Sequence, residues 1–181
     1  ILQSKITEYV LKYSQRPLVL DADGINIVSK DNDLRELLKK YKGKKILTPH
    51  MKEASKLSGK DISKIKEDPV LAAEELSDEY GADIVLKDAV STIARTDGKI
   101  FINNSGNNAM AKGGSGDVLS GIIGGFVSSG MNPSDAASFG PYVHGLCGDA
   151  ARQRKGAYSV LASDIIDGME YVGKSVYDEG K

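Results

Sequence analysis

The sequence predicts an α/β layer fold built on a mainly parallel central sheet, and three observations carry that prediction. Short continuous apolar runs at 17–20, 45–48 and 83–87 alternate with helix-length stretches, the order that parallel strands with crossover helices produce. The runs lack polar alternation, as in Leu18-Val19-Leu20 and Ile84-Val85-Leu86, which suits strands covered on both faces. Glycines close three of the helical stretches, at Gly43, Gly59 and Gly81, where a left-handed residue ends a helix without a Cβ clash.

Taken in order, residues 1–14 read as an amphipathic helix, with Leu2, Ile6, Tyr9, Val10 and Tyr13 at helical spacing. Residues 17–20 are a buried strand that ends in Asp21-Ala22-Asp23-Gly24. Asp31 or Asn32 caps a helix over 33–42. The second strand, 45–48, stops at Pro49; a short helix covers 51–58 and a longer one 69–80. The third strand spans 83–87. Thr92 to Arg95 and Lys99 to Ile102 form a hairpin around Thr96-Asp97-Gly98, with Asp-Gly supplying the turn. Three helices finish the chain, at about 115–130, 133–153 and 160–176. The second of them starts from Asn132 as cap with Pro133 in the first turn. No repeat, low-complexity tract or linker interrupts 1–181, which is read as a single domain.

Composition narrows the classes of function. A chain of 181 residues can bury a sizeable core. Its net charge of −1 argues against a nucleic acid or an anionic membrane held by a basic surface. The longest apolar stretch, Val118 to Val127, is interrupted by Gly121, Gly124 and Gly125 and is too short to span a bilayer. The lone Cys147 excludes an intrachain disulfide and fits a reducing compartment; no secretory signal is visible at the start, so the expected location is cytoplasmic. With two histidines and no cysteine cluster, no structural zinc and no directly ligated metal are expected. The chain opens at Ile1 inside a helical pattern, and its domain is read as N-terminally incomplete.

Chemistry concentrates in Gly113-Gly114-Ser115-Gly116-Asp117, which opens directly onto the apolar stretch Val118-Leu119. Glycines let the backbone turn its N–H groups toward a ligand, and the following helix adds unpaired N–H groups and the positive end of its dipole, which together suit phosphate. A carboxylate there repels phosphate but can take a proton from a hydroxyl attacking it. The same residues also make an ordinary glycine turn before a helix. Neither the Gly-x-x-x-x-Gly-Lys-Ser/Thr loop nor the dinucleotide fingerprint is present; the latter needs glycine where Leu119 stands.

In open α/β sheets ligands bind beyond the carboxyl ends of the strands, where Asp21, Asp23, Asn26, His50 and Lys87 fall. Asp21 and Asp23 suit Mg²⁺ held through water or an Asx-stabilised turn equally well. His50 is a ligand contact or a satisfied polar group. Lys87 meets a phosphate or ends its strand in solvent, and Glu53 need only favour the first turn of its helix. Asn107 reads a ligand amide or caps a turn. His144, mid-helix beside Tyr142 and Cys147, is assigned to structure.

Five segments recur together, in order: Leu20-Asp21-Ala22-Asp23-Gly24-Ile25-Asn26; Ile46-Leu47-Thr48-Pro49-His50 with Glu53; Val85-Leu86-Lys87; Gly106-Asn107, Met110-Ala111 and the glycine loop; and Gly156-Ala157-Tyr158 with Ala162-Ser163-Asp164-Ile165-Ile166. Over essentially the whole chain this resembles the ADP/ATP-dependent NAD(P)H-hydrate dehydratases of the ribokinase-like superfamily. Met51-Lys52-Glu53 stands where the family usually has Pro-Gly-Glu, and Asp88-Ala89-Val90-Ser91 where it often has Gly-Ala-Gly-Thr.

The resemblance implies a three-layer α/β/α ribokinase-like fold. It implies that ADP or ATP, with Mg²⁺, phosphorylates the ring hydroxyl of hydrated NADH or NADPH, whereupon phosphate leaves and the dinucleotide is restored. Asp117 is then the base, and His50, Asn107 and Asp117 contact the hydrated dinucleotide. Lys87, Ala89, Ser91, Gly113, Gly114, Ser115 and Gly116 line the nucleotide and its phosphates, while Asp21, Asn26 and Glu53 touch substrate or Mg²⁺-bound water. It further implies a homo-oligomer and a fused or separate NAD(P)H-hydrate epimerase. The family carries residues before the point where this chain begins, which supply its first strands. The polypeptide alone is therefore expected to expose a sheet edge and not to be stably active. Rival readings are a small-molecule kinase of the same superfamily, releasing a stable phosphorylated alcohol, and a non-catalytic nucleotide-binding module.

Overall fold

The computed structural model describes residues 2–178. Its elements run α1 (Leu2–Tyr13), β1 (Leu18–Leu20), α2 (Ala22–Ser29), α3 (Asn32–Lys40), β2 (Lys45–Leu47), α4 (Met51–Ser58), α5 (Ile62–Glu67), α6 (Pro69–Tyr80), β3 (Asp83–Leu86), β4 (Ser91–Ala94), β5 (Ile100–Asn103), α7 (Ser115–Ser128), α8 (Pro133–Lys155) and α9 (Ala162–Asp178), with a 3-10 turn at Asn108–Met110. The five strands lie side by side in chain order. β1, β2 and β3 pair parallel, and the predicted hairpin adds β4 and β5 antiparallel.

The short strands send alternate side chains to opposite faces, and that alternation makes the layers. Leu47, Ile84 and Leu86 join Leu34, Leu38, Leu57, Leu76 and Tyr80 in a core beneath α1–α6. Their neighbours Ile46, Val85 and Ile93 pack instead on Leu119, Ile123, Ala136 and Ala137 of α7 and α8. A third cluster, with Val143, Cys147, Ala151 and Ile165, seals α8 against α9. Small residues permit the close approach on that side: a Cβ on Gly140 would stand 2.5 Å from Ile123 Cγ1, and one on Gly168 2.5 Å from the Cys147 carbonyl. Cys147 is buried, and burial pushes its pKa up to about 11.

Three expectations change. The segment 21–24 is not only a strand exit: Asp21 caps α2, accepting from the Ala22 N–H, and the helix runs through Gly24. Helix α5 appears where none was anticipated. The helix expected over 33–42 stops at Lys40, because Tyr41 turns out of the helical region and buries its ring, its hydroxyl donating to the Arg16 carbonyl at 2.6 Å. The expected start of the first helix at Ile1 lies outside the described residues.

Candidate active site

The parallel strands β1, β2 and β3 end at one edge of the sheet, and their exits are stitched together. Thr48 N–H donates to the Leu20 carbonyl at 3.1 Å, Lys87 N–H donates to the Pro49 carbonyl at 2.8 Å, and His50 bridges Lys87 in parallel. Asp21, His50 and Lys87 thus share that edge, as the strand-end reading requires.

Lys87 Nζ lies 2.6 Å from Asp21 Oδ1, and Ser120 Oγ of α7 donates to Asp21 Oδ2 at 2.6 Å. Burial opposes ionisation of Asp21, but the bonds from Lys87 and Ser120 and the lysine's charge outweigh it and hold the carboxyl below its ordinary value. Ala22, next in the chain, has φ 45°, the one non-glycine residue with positive φ among the described residues; such strain persists where surroundings over-determine a turn. The cluster sits against the glycine loop. A Cβ on Gly116 would come within 3.4 Å of Lys87 Nζ and 3.9 Å of Asp21 Oδ2.

The loop is shaped for an anion. Gly114, at φ 88°, turns the chain into α7, a conformation that glycine adopts without a Cβ penalty. Ser115 N–H is taken by the Lys112 carbonyl at 3.3 Å and Val118 N–H by Gly114 at 3.1 Å. The N–H groups of Gly116 and Asp117 keep no partner among the described residues. The Ser115 N–H is thus engaged within the loop, and the N–H groups left open at the start of α7 are those of Gly116 and Asp117. The Asp117 carboxylate is exposed in that first turn and forms no ion pair or hydrogen bond among the described residues. It borders an apolar groove of about 590 Å³ between α7 and α9, lined by Val118, Ile122, Phe126, Ile166 and Met169.

His50 and Glu53 form a second group. They make a reciprocal capping box on α4: Glu53 N–H donates to His50 Nδ1 at 3.1 Å, and His50 N–H donates to Glu53 Oε2 at 2.9 Å. Glu53 is buried, while the His50 side chain is 49% exposed. Asn26 Nδ2 donates to Glu53 Oε1 at 3.4 Å, and Lys56 Nζ to Asn26 Oδ1 at 2.6 Å. Asn107 belongs to a third group. Its Oδ1 accepts from Ala109 N–H at 3.0 Å and its Nδ2 donates to Asp149 at 2.7 Å, so both of its polar ends are engaged in shaping the 3-10 turn. Ala89 is exposed, and Ser91 opens β4 half-buried.

Ser120 and Asp149 were missed by sequence reasoning. Ser120 lies one helical turn beyond Gly116 and so faces the same way, a signal that was available; nothing local marks Asp149. No group of three His, Cys, Asp or Glu side chains among the described residues is placed to hold a metal ion, and no helix there is long and apolar enough to cross a membrane.

Three parallel strands ending under a glycine loop, with a free carboxylate in the first turn of the next helix, define a ribokinase-like α/β/α protein. Residues 2–170 match the model of the NAD(P)H-hydrate dehydratase family, to which this chain belongs. The bifunctional NAD(P)H-hydrate repair enzyme of Moorella thermoacetica is 38% identical over 174 residues, 96% of this chain and 32% of that protein. The ADP-dependent (S)-NAD(P)H-hydrate dehydratase of Neisseria meningitidis is 38% identical over 155 residues, 85% of this chain and 52% of its own length. The ADP/ATP-dependent dehydratase of Bacillus subtilis, co-crystallised with ATP/Mg²⁺ and soaked with CoA, superposes with a TM-score of 0.82 at 30% identity, covering 95% of this chain and 60% of that one. The chain thus spans between about a third and about half of these curated relatives' length.

Proposed function

We propose that this chain carries the phosphoryl-transfer centre of a dehydratase that restores NADH or NADPH from their hydrated forms at the expense of ADP or ATP. The observation that carries the reading is the free Asp117 carboxylate, one residue beyond Gly116 on a helix N-terminus where the Gly116 and Asp117 N–H groups keep no partner among the described residues. A base and an anion site side by side are what transfer of a phosphoryl group to a hydroxyl needs. Asp117 takes the proton of the ring hydroxyl. The N–H groups of Gly116 and Asp117, with Gly113 and Gly114 shaping the loop, hold charge that develops on the transferred group. Lys87 lies within reach of the same anion, and exchanging its Asp21 partner for phosphate keeps its charge paired. Ala89 and Ser91 flank the adenine nucleotide beyond Lys87. His50, with its half-exposed imidazole, contacts the hydrated dinucleotide, and Asn107 shapes the far wall.

The donors present suit Mg²⁺ held mainly by nucleotide phosphates. Asp21 already carries bonds at both oxygens, which favours contact through a metal-bound water over direct ligation. When bound, the ion offsets charge on the phosphates. The names of the relatives support the substrate and, in the bifunctional repair enzymes, a second activity joined to this one, which is read as an epimerase; a cytoplasmic setting and a homo-oligomer belong to the same reading by family analogy.

The test is a coupled assay on the full-length protein, with hydrated NADH or NADPH, ADP or ATP, and Mg²⁺. Restored dinucleotide absorbance and free phosphate should rise together and depend on nucleotide. A phosphorylated alcohol that accumulates without phosphate release would instead make the protein a small-molecule kinase.

A further inference from the structure

His144 is a buried titratable side chain that the proposed reaction leaves unused. It projects from the middle of α8, 9% exposed, and its Nε2 lies 3.3 Å from Ser115 Oγ. Ser115 is itself buried and is the first residue of α7, between left-handed Gly114 and Gly116. Burying a polar ring is costly unless it is bonded, and an apolar side chain of similar volume would fill the same space in the glycine-lined seam of α8. What the imidazole adds is a grip on Ser115. The gripped residue carries the peptide whose N–H belongs to Gly116.

We propose that His144 is a positioning residue of the phosphate loop, a neutral imidazole that holds the Ser115 hydroxyl and thereby aims the Gly116 and Asp117 N–H groups and the Asp117 carboxylate at one point. This rests on reading the loop as a phosphoryl-transfer site. The ring's neutrality follows from its surroundings: burial, together with the positive charge of Lys87, outweighs a favourable bond to the Ser115 main chain and lowers its pKa to about 4. A neutral ring keeps one donor and one acceptor and adds no second cation beside Lys87. Small errors in placing a reacting group are costly, up to about a hundred-fold in rate for an ångström, so the grip acts on turnover more than on binding.

The experiment compares His144→Leu, His144→Gln, Ser115→Ala and the Ser115→Ala/His144→Leu double variant in the full-length protein. Leucine removes the bond, and glutamine restores an amide group near Nε2. His144→Leu and Ser115→Ala should each lower kcat about ten- to hundred-fold with little change in KM for ADP. The double variant should fall no further than either single one, and His144→Gln should recover most of the loss. The backbone amide resonances of Gly116 and Asp117 should shift together in His144→Leu and Ser115→Ala and return toward wild type in His144→Gln. Additive losses, no recovery with glutamine, or unshifted resonances overturn the proposal. Should His144→Leu fail to fold, Ser115→Ala tests the same bond with the histidine in place. Wild-type protein without turnover, but with the amide shifts as described, would overturn the dehydratase reading and leave the positioning role standing.

Discussion

At the scale of single residues, two side chains divide the chemistry differently from their neighbours. The Asp117 side chain forms no bond among the described residues, so its replacement tests chemistry with little structural cost. Asp117→Asn keeps the shape, removes the proposed base and should lower turnover by about two to four orders of magnitude, while the affinity for ADP measured by calorimetry stays nearly unchanged. Near-normal turnover would assign the base elsewhere. His50 has two roles to separate, because its Nδ1 caps α4 while the rest of the ring is half exposed. His50→Ala removes both roles and should cost about 1 kcal/mol in stability for the lost cap. His50→Ser keeps a good cap and removes only the ring. Both variants should raise KM for hydrated dinucleotide more than KM for ADP. If only the alanine variant does so, the histidine serves α4 and not the substrate.

Elements show why some of this was legible in the sequence and some was not. The strands at 45–48 and 83–87, the hairpin turn at Asp97-Gly98 and the caps at Asn132 and Gly81 are written in local chemistry, and they appear within a residue or two of where they were read. The place of the Asp117 carboxylate in the first turn of α7 was legible for the same reason, since Asp117 adjoins its glycines. Helix α2 was hidden because Gly24 reads as a breaker. Its glycine answers a tertiary demand: a Cβ there would lie 2.5 Å from Leu20 Cδ1, in the strand that the helix leaves. The links from Lys87 and Ser120 to Asp21 span 66 and 99 residues, a separation no local pattern carries. Glycines inside helices therefore divide into two kinds. A Cβ on Gly145 would collide with the side chain and backbone of Ser105, whereas one on Gly124 of α7 meets nothing within 4 Å. Gly145→Ala should destabilise by about 1–3 kcal/mol through overpacking, and Gly124→Ala should stabilise by up to about 1 kcal/mol through helix propensity. Urea midpoints for the pair decide this. Two shifts of the same sign would mean that α8 yields where the packing says it cannot.

For the whole molecule, the interior beside the loop predicts how stability responds to acid. The folded state holds His144 neutral down to about pH 4, whereas the unfolded chain binds a proton near 6.5. Between those values the unfolded state carries more protons, so unfolding free energy rises with pH and is lost as pH falls from 6.5 toward 4. The loss comes to about 3 kcal/mol for a shift of that size, and it levels off once the folded ring also charges. Asp21 acts in the next window and with the same sign. Its carboxyl is held below the ordinary 3.8, so its contribution is present above that value and disappears as pH falls through the lower folded-state pKa. Stability should therefore decline in two consecutive steps, an upper one belonging to His144 and a lower one that Asp21 shares with Asp97, Asp164 and Glu170, whose carboxyls are also held below their ordinary values by neighbouring cations and hydrogen bonds. The measurement is a series of urea unfolding curves across this range on wild type, His144→Gln and Asp21→Asn. His144→Gln should flatten the upper step and leave the lower, and Asp21→Asn should reduce the lower step and leave the upper. A wild-type curve flat between pH 6.5 and 4 would mean that the ring charges freely inside the fold, which its burial and the nearby Lys87 ammonium oppose.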